Sequence, residues 1–401
     1  MKICMISSLY PPIIFGGASG VAHLEAEELV RRGHEVSVIT TSHDNNFYEE
    51  RINGVRIYRI PPFNVYTFFD NFIEKELTIK KIIWQLIDRF NLFIQKHIIK
   101  ILKKEKPDLI HIHNFTGFSP YVFRTVKSLK IPVIFTAHDY KIACPRATLL
   151  KGNNCVCNEE RVFCSFYRKF NKLIACDPDI MISPSTFLMQ ILNDREIFDK
   201  SEKVILPNPL PLKPEKVKKD YETIKIMFAG ELNRHKGIEV LLEVIKLLDG
   251  YKKKFYIFGR GEYEDVLKEI SKNDDEVEYY GYAAGIEDLK RFYRDVNVTL
   301  VPSLWYEVFG LVIIESFANS TPVIASRIGG IPELVINGYN GFLFEPGNVL
   351  ELKELLINII ENPSILERLE NNAFKSSKIY TVEEHVNKLE NIYKCLTEDT
   401  K

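Results

Sequence analysis

Nowhere in the 401 residues does an apolar run approach the ~18 residues that a membrane-spanning helix requires. The opening run, Met1 to Ser7, is far too short for a signal-peptide core, and Pro11-Pro12 follows it closely. These two absences predict a cytoplasmic protein. Neither sign of charge dominates: 53 Lys and Arg against 54 Asp and Glu leave a net charge of −1, so no global basic field invites nucleic acid. Tandem repeats and low-complexity segments are also missing. Cysteine is sparse, at seven, yet four of them (Cys144, Cys155, Cys157 and Cys164) fall in one 21-residue window. In a reducing compartment such a cluster points to a metal before it points to disulfides. Its spacing, C-x10-C-x-C-x6-C, matches no zinc template, so free thiols in a tucked loop are preferred over a structural metal.

What is present is ordinary globular material, 46% hydrophobic and 27% charged, in a chain too long for one compact core. Two domains of roughly 200 residues are expected. Short β-rich runs alternate with amphipathic helical stretches, the pattern of parallel α/β architecture. Strands are predicted at 2–7, 35–40, 55–60, 109–113, 132–137, 180–183 and 203–206. A first helix is predicted over 21–32, ended by Gly33. Pro207, Pro209, Pro211 and Pro214 then interrupt the pattern and read as a semi-rigid linker. The alternation restarts with strands at 224–229, 254–258, 277–280, 298–301, 322–325 and 341–344. Helices are predicted at 238–248, 263–272, 286–293, 310–318 and 349–361, the last opened by a capping box of Asn348 and Glu351. A stretch over 74–104 reads as one long helix rich in aromatic and basic residues. Its amphipathic basic character fits either a solvated domain helix or contact with an anionic bilayer.

The segment from Glu307 to Glu315 (EVFGLVIIE) carries the strongest chemical signal. It follows a predicted strand and opens a predicted helix, and ligands of open α/β sheets gather at the carboxyl ends of strands. The amides and positive dipole end around Val308, Phe309, Gly310 and Leu311 suit a diphosphate. A carboxylate accepts hydrogen bonds from two neighbouring hydroxyls, so Glu315 suits a ribose diol and Glu307 the hydroxyls of a sugar. The bland alternative is an amphipathic helix with two solvated glutamates.

This segment resembles the E-x7-E motif of glycosyltransferase family 4, retaining enzymes of the GT-B fold. Other segments resemble the family in the expected order. They are Gly16-Gly17 after the first strand, RGHEV at 32–36, PDLIHIHN at 107–114, TAHDY at 136–140, KG at 236–237, GGIPE at 329–333 and NGF at 340–342. The resemblance implies two Rossmann-like domains facing each other across a cleft. The first would span 1–207, bind the acceptor and take back the crossing helix at 379–401. The second would span 208–378 and bind the nucleotide sugar. The expected reaction moves a hexose-type sugar from a nucleotide-diphosphate donor, UDP- or GDP-linked, to a glycan or lipid-linked acceptor in cell-surface polysaccharide or glycolipid synthesis.

The resemblance casts His138, Lys236 and Glu307 as catalytic. Gly16, Gly17, Arg234, Lys236, Glu307, Val308, Phe309, Gly310, Leu311 and Glu315 become donor-binding. The family usually has arginine where this chain has Glu231, and Arg234 is the nearest candidate to replace it. No D-x-D motif stands in a suitable place, since Asp177-Pro178-Asp179 precedes a strand, so no metal and no cofactor are expected. The expected location is the cytoplasm, with peripheral contact at the inner membrane face if the bilayer reading of 74–104 holds. Two rivals share the fold. A nucleotide-sugar 2-epimerase would form an epimerised sugar nucleotide without an acceptor, and a silent binding protein would hold donor without transfer or hydrolysis.

Overall fold

The computed structural model describes residues 1–13, 16–44, 46–67, 78–151, 156–157, 161–283 and 286–398. The chain divides into two compact units. One comprises Met1–Ala147, Glu160–Pro209 and Val382–Lys401, and the other comprises Thr148–Glu159 and Leu210–Thr381.

The first unit is built on eight strands: β1 (Lys2–Ile6), β2 (Glu35–Thr41), β3 (Tyr48–Ile52), β4 (Val55–Ile60), β5 (Leu109–Ile112), β6 (Val133–Thr136), β7 (Ile180–Ser183) and β8 (Glu202–Ile205). They lie in the order β3-β4-β2-β1-β5-β6-β7-β8, parallel throughout except for the antiparallel edge pair β3 and β4. Strands covered on both faces must be apolar almost continuously, and β5, β6 and β7 are buried at every position. The strand order reverses between β1 and β5, which makes their carboxyl ends a topological switch point.

The first helix, Gly16–Arg31, stops at Gly33, whose φ of 90° is the left-handed cap conformation. The His34 amide donates to the Leu29 carbonyl at 3.1 Å and the Gly33 amide to Val30 at 2.9 Å, which closes the helix end. His34 therefore has a structural task. Its Nε2 lies 2.6 Å from Glu390, and Arg32 donates to the same carboxylate at 2.8 Å. Glu390 belongs to the last helix, Val382–Glu398, whose Val386, Leu389 and Tyr393 complete the first unit's core. The chain thus returns to its first unit, as the resemblance implied.

The second unit holds β9 (Ile224–Ala229), β10 (Lys253–Phe258), β11 (Val277–Gly281), β12 (Val298–Val301), β13 (Val323–Ser326) and β14 (Gly341–Phe344). Their order is β11-β10-β9-β12-β13-β14, parallel at every step. This is a complete doubly wound sheet with its switch point between β9 and β12. Ile226, Phe228, Leu241, Val244, Phe255 and Leu300 form its centre and are all nearly or fully buried. Each contributes about 1.5–3 kcal/mol of apolar burial against the entropy of ordering. Asn348 caps the helix Val349–Glu361 by accepting from the Glu351 amide at 3.2 Å.

Several elements escaped the sequence reading: the edge strand β3 and the helices Tyr121–Lys127, Val162–Ile174, Thr186–Asp194 and Ser364–Ser377. The long helix expected over 74–104 is two helices in its described part, Thr78–Arg89 and Leu92–Glu105. They are broken where Asn91 turns to cap the second by accepting from the Ile94 amide at 3.3 Å. Residues 74–77 lie outside the described residues. Of the clustered cysteines, Cys144, Cys157 and Cys164 are free thiols, and Cys155 lies outside the described residues.

Candidate functional site

In the second unit the carboxyl ends of β9, β10 and β12 are knitted by short loops. After β9 the Gly230 amide donates to Phe258 at 3.1 Å and the Leu232 amide to Arg260 at 2.9 Å, which binds the β9 loop to the β10 loop. The β9 loop then turns at Gly237, whose φ is 79°. A side chain there would strike the Pro302 carbonyl at the end of β12, so only glycine lets the two loops close. That contact sets Lys236 above the β12 loop. Its Nζ donates to Glu307 Oε1 at 2.6 Å and stands 4.7 Å from the centre of the Trp305 ring. Ser303 donates to the same oxygen at 2.9 Å.

Glu307 is fixed through its backbone as well. Its carbonyl accepts from the Gly330 amide at 2.7 Å. A Cβ on Gly329, where φ is 62°, would come within 2.5 Å of the Glu307 backbone. The GGIPE turn therefore braces Glu307, and the Gly330 amide is spent on that task. Burial pushes the Glu307 carboxyl up, but the Lys236 ammonium and its hydrogen bond, helped by neighbours including the Ser303 hydroxyl, together outweigh burial and hold it below its ordinary range. The pair is ionic.

Gly310 caps the helix Leu311–Ala318 with φ 102°. The amides of Leu311 and Val312 have no intrahelical acceptor, because the ladder begins at Ile313 bonding to Gly310. Glu315 sits one turn further on, half-buried, and accepts from the Tyr293 hydroxyl at 2.9 Å. Burial raises its carboxyl to about 7 despite that bond. Arg234 is exposed and pairs with Glu239 at 3.0 Å. Glu231 is also exposed, accepting from Asn233 at 3.1 Å. Lys236 and Glu307 are thus brought together, while Arg234 and Glu231 are occupied with their neighbours.

One group in this unit went unread in the sequence. Phe258 and Tyr280, at the ends of β10 and β11, stack at 5.0 Å, and Phe292 meets both rings at 4.6 Å. Arg260 lies 4.9 Å from the Tyr282 ring beside them. These aromatics sit on three separate elements, so no local spacing marks them.

In the first unit Gly16 and Gly17 open the first helix. His138 follows β6, with Nε2 3.1 Å from His113 Nδ1. Burial, then the charge of His385, pushes the His138 imidazole down to about 3, so it is neutral at physiological pH. His113 belongs to a buried polar group where the sequence reading had only a strand. Glu25 Oε2 lies 3.4 Å from His113 Nε2 and 3.6 Å from His111 Nδ1, and Glu25 Oε1 lies 3.0 Å from His385 Nε2. His385 Nδ1 must donate to the Pro207 carbonyl at 2.8 Å, so one further proton is shared between His385 and Glu25. Among the described residues, Glu25, His111 and His113 form the one group spaced as metal ligands. His111 is already engaged by Tyr393 at 2.7 Å and Thr136 at 2.7 Å, which suits a hydrogen-bond network.

Two doubly wound sheets, a last helix returned to the first unit, and an acid–lysine pair beside a helix start at the second switch point define a GT-B glycosyltransferase. Residues 15–213 match Glycosyltransferase Family 4 and residues 211–376 match Glycosyl transferases group 1. The chain belongs to glycosyltransferase family 4. An uncharacterized 42.6 kDa protein in the cps region of Klebsiella pneumoniae is 28% identical over 83% of this chain and 87% of its own. The alpha-monoglucosyldiacylglycerol synthase of Acholeplasma laidlawii is 25% identical over 98% and 96%. Sucrose-phosphate synthase from Thermosynechococcus elongatus shares the fold, with TM-score 0.75 at 19% identity over 99% of each chain. Anabaena HepE in complex with UDP-glucose does so at 0.68 and 16%, over 98% of this chain and 100% of that one.

Proposed function

We propose that this glycosyltransferase is a retaining, metal-independent hexosyltransferase that takes sugar from a UDP- or GDP-linked donor. Its acceptor in this reading is a glycan or lipid-linked sugar of cell-surface polysaccharide or glycolipid synthesis. The observation that carries the reading is the 2.6 Å pair of Lys236 and Glu307 at the switch point of the second sheet. Departure of a nucleoside diphosphate concentrates negative charge on its phosphates, and a preorganised cation with helix-start amides answers that demand. Lys236 and the amides at Phe309, Gly310 and Leu311, with Val308 leading into them, would hold the diphosphate. Glu307 would then accept from sugar hydroxyls, and Glu315 from the ribose diol. The exposed rings of Tyr280 and Tyr282, backed by Phe258, offer flat faces for the base.

In the first unit, His138 and the Gly16-Gly17 turn serve the transferred sugar and its phosphate. Because His138 is neutral, it works as a hydrogen-bond partner and not as an acid. The acceptor hydroxyl attacks the anomeric carbon on the face the diphosphate leaves. The new C–O bond forms as the bond to the phosphate oxygen breaks, and that phosphate takes the acceptor's proton. Arg234 would need to leave Glu239 to add a second cation.

Thermal-shift screening against UDP-, GDP-, ADP- and dTDP-sugars tests the donor, since a bound ligand stabilises the folded state by mass action. With the right donor, Lys236→Ala and Glu315→Ala should each lower transfer by at least about tenfold, the equivalent of roughly 1.4 kcal/mol. Full activity in both folded variants would discard the assignment. Donor binding without transfer or hydrolysis across a broad acceptor panel would favour a silent binding protein, a reading that Glu231 and the Arg234–Glu239 pair support.

A further inference from the structure

Two helices of the first unit carry their apolar faces outward. In Val162–Ile174 the apolar residues recur at helical spacing and form one stripe. That stripe faces solvent: Val162 is 89%, Phe163 69%, Phe166 67% and Leu173 71% exposed. The residues this helix buries are Tyr167 and Asn171. Asn171 donates inward to the Ile142 carbonyl at 2.9 Å and accepts from Arg89 at 3.2 Å. The helix Thr78–Arg89 is arranged alike. Ile79, Ile82, Ile83 and Leu86 are 42–66% exposed, while Trp84 and Asp88 are buried and Asp88 accepts from the Gly117 amide at 2.8 Å. A helix of a water-soluble surface does the reverse.

The two helices adjoin. Phe90 meets Phe170 at 5.2 Å, and the Arg89 guanidinium stacks 3.8 Å from the Tyr167 ring. At two-thirds exposure Phe163 and Phe166 each leave on the order of 100 Å² of apolar surface in water. Together the named side chains expose on the order of several hundred Å² of apolar surface, at the upper end of what an ordinary soluble surface shows.

Among the described residues of the three helices here, basic side chains outnumber acidic ones. Thr78–Arg89 carries three basic residues, Leu92–Glu105 four and Val162–Ile174 three, against Asp88 and Glu105. Both acids are turned away from the patch, Asp88 by burial and Glu105 by its bonds to Arg56 and Tyr58 at 2.8 and 2.6 Å. Lys104 and Lys172 have carboxylates of their own, and Lys80 and Arg168 are engaged as well. The chain as a whole is at −1, so the excess is local. A second copy of this chain would bring the same positive charge and be repelled.

We propose that this two-helix platform seats the protein on an anionic lipid bilayer, with the apolar stripes in the headgroup boundary and the lysines on lipid phosphates. The inner face of the platform holds the loop just after His138-Asp139-Tyr140. Tyr167 donates to the Lys141 carbonyl at 2.7 Å, and Asn171 holds Ile142. If the proposed transfer is correct, a lipid-linked acceptor would arrive beside that loop; the bilayer contact itself does not depend on the transfer.

Sedimentation of the full chain with vesicles of phosphatidylglycerol and phosphatidylcholine, against phosphatidylcholine alone, tests the platform. Binding should require the anionic lipid and weaken as salt rises. The doubly exposed substitution Leu86→Glu with Phe166→Glu should reduce the bound fraction at least tenfold without changing Tm or donor affinity. Lys81→Glu with Lys169→Glu should reduce it less and flatten the salt dependence. Failure of the wild type to sediment with anionic vesicles at low salt overturns the proposal, as does equal binding by the Leu86→Glu and Phe166→Glu variant. A solution oligomer that this variant dissolves, without vesicle binding, overturns it in favour of contact between copies.

Discussion

Replacing Lys236 with methionine keeps the aliphatic stem over Trp305 and removes only the charge. The Glu307 carboxylate, 10% exposed, then loses its partner at 2.6 Å. Breaking a fully buried pair costs about 3–5 kcal/mol, and the 23% exposure of Lys236 lowers the expected figure to about 2–3 kcal/mol. For a unit of this size that is a Tm loss of roughly 5–10 °C. The pH dependence distinguishes this cause from lost packing. In the wild type the Glu307 pKa is depressed below 4.5, so its stabilisation is present above that value and is lost only as pH falls through the folded pKa. Without Lys236, burial dominates and raises the folded pKa, so stability is lost as pH rises. The gap between variant and wild type should be widest near neutral pH and narrow, without closing, towards pH ~5. Adding Glu307→Gln should recover part of the loss and abolish its pH dependence. Calorimetric binding of the nucleoside diphosphate that best stabilises the wild type should weaken about 10- to 150-fold, the worth of a charged contact of about 1.5–3 kcal/mol. A Tm gap constant across that pH range, or undiminished diphosphate affinity, would refute the reasoning.

Glu315 titrates near neutrality, since burial raises its carboxyl to about 7. Stability should therefore fall as pH rises from 4.5 to about 7, and donor affinity should improve over the upper part of that range as the carboxylate forms for the diol. Glu315→Gln should flatten both curves, measured by thermal melts and titration calorimetry. Gly329→Ala forces a Cβ to within 2.5 Å of the Glu307 backbone at a φ of 62°. It should cost about 1–3 kcal/mol in denaturant melts and weaken the donor in parallel. In the buried histidine group, Glu25→Gln can still donate to His385, whereas Glu25→Leu cannot. The first should stay within about 1 kcal/mol of wild type and the second lose about 3 kcal/mol or more, read from urea midpoints.

What the sequence made legible follows the range of each signal. β2, β9 and β12 are short apolar runs with glycine or proline beside them, so their positions and the doubly wound class were readable locally. Lys236 and Glu307 are 71 residues apart, and only the colinear family motifs suggested that they share a site. Their ion pair depends on Gly237 closing against Pro302, a contact invisible to any local pattern. GGIPE was legible as a glycine turn, but its partner, the Glu307 backbone, was not. His111 and His113 read only as strand residues, because nothing near them in sequence names Glu25 or His385.

The helix Val162–Ile174 fails the sequence reading for a different reason. Its apolar period is clear, and the usual inference from such a period is a buried stripe. That inference assumes water on the other side of the helix and a core beneath it. Here Asn171 and Tyr167 are already satisfied beneath it, by Ile142, Arg89 and Lys141, so the inward face has no room for the phenylalanines. The same logic governs Asp88 and Trp84 in Thr78–Arg89, where the Trp84 indole donates to the Tyr66 carbonyl at 3.0 Å. Periodicity reports that a helix has two faces; only the partners of its polar residues report which face points in. Where those partners are interior backbone carbonyls and amides, an apolar stripe is left facing outward, and the solvent it was selected against need not be water.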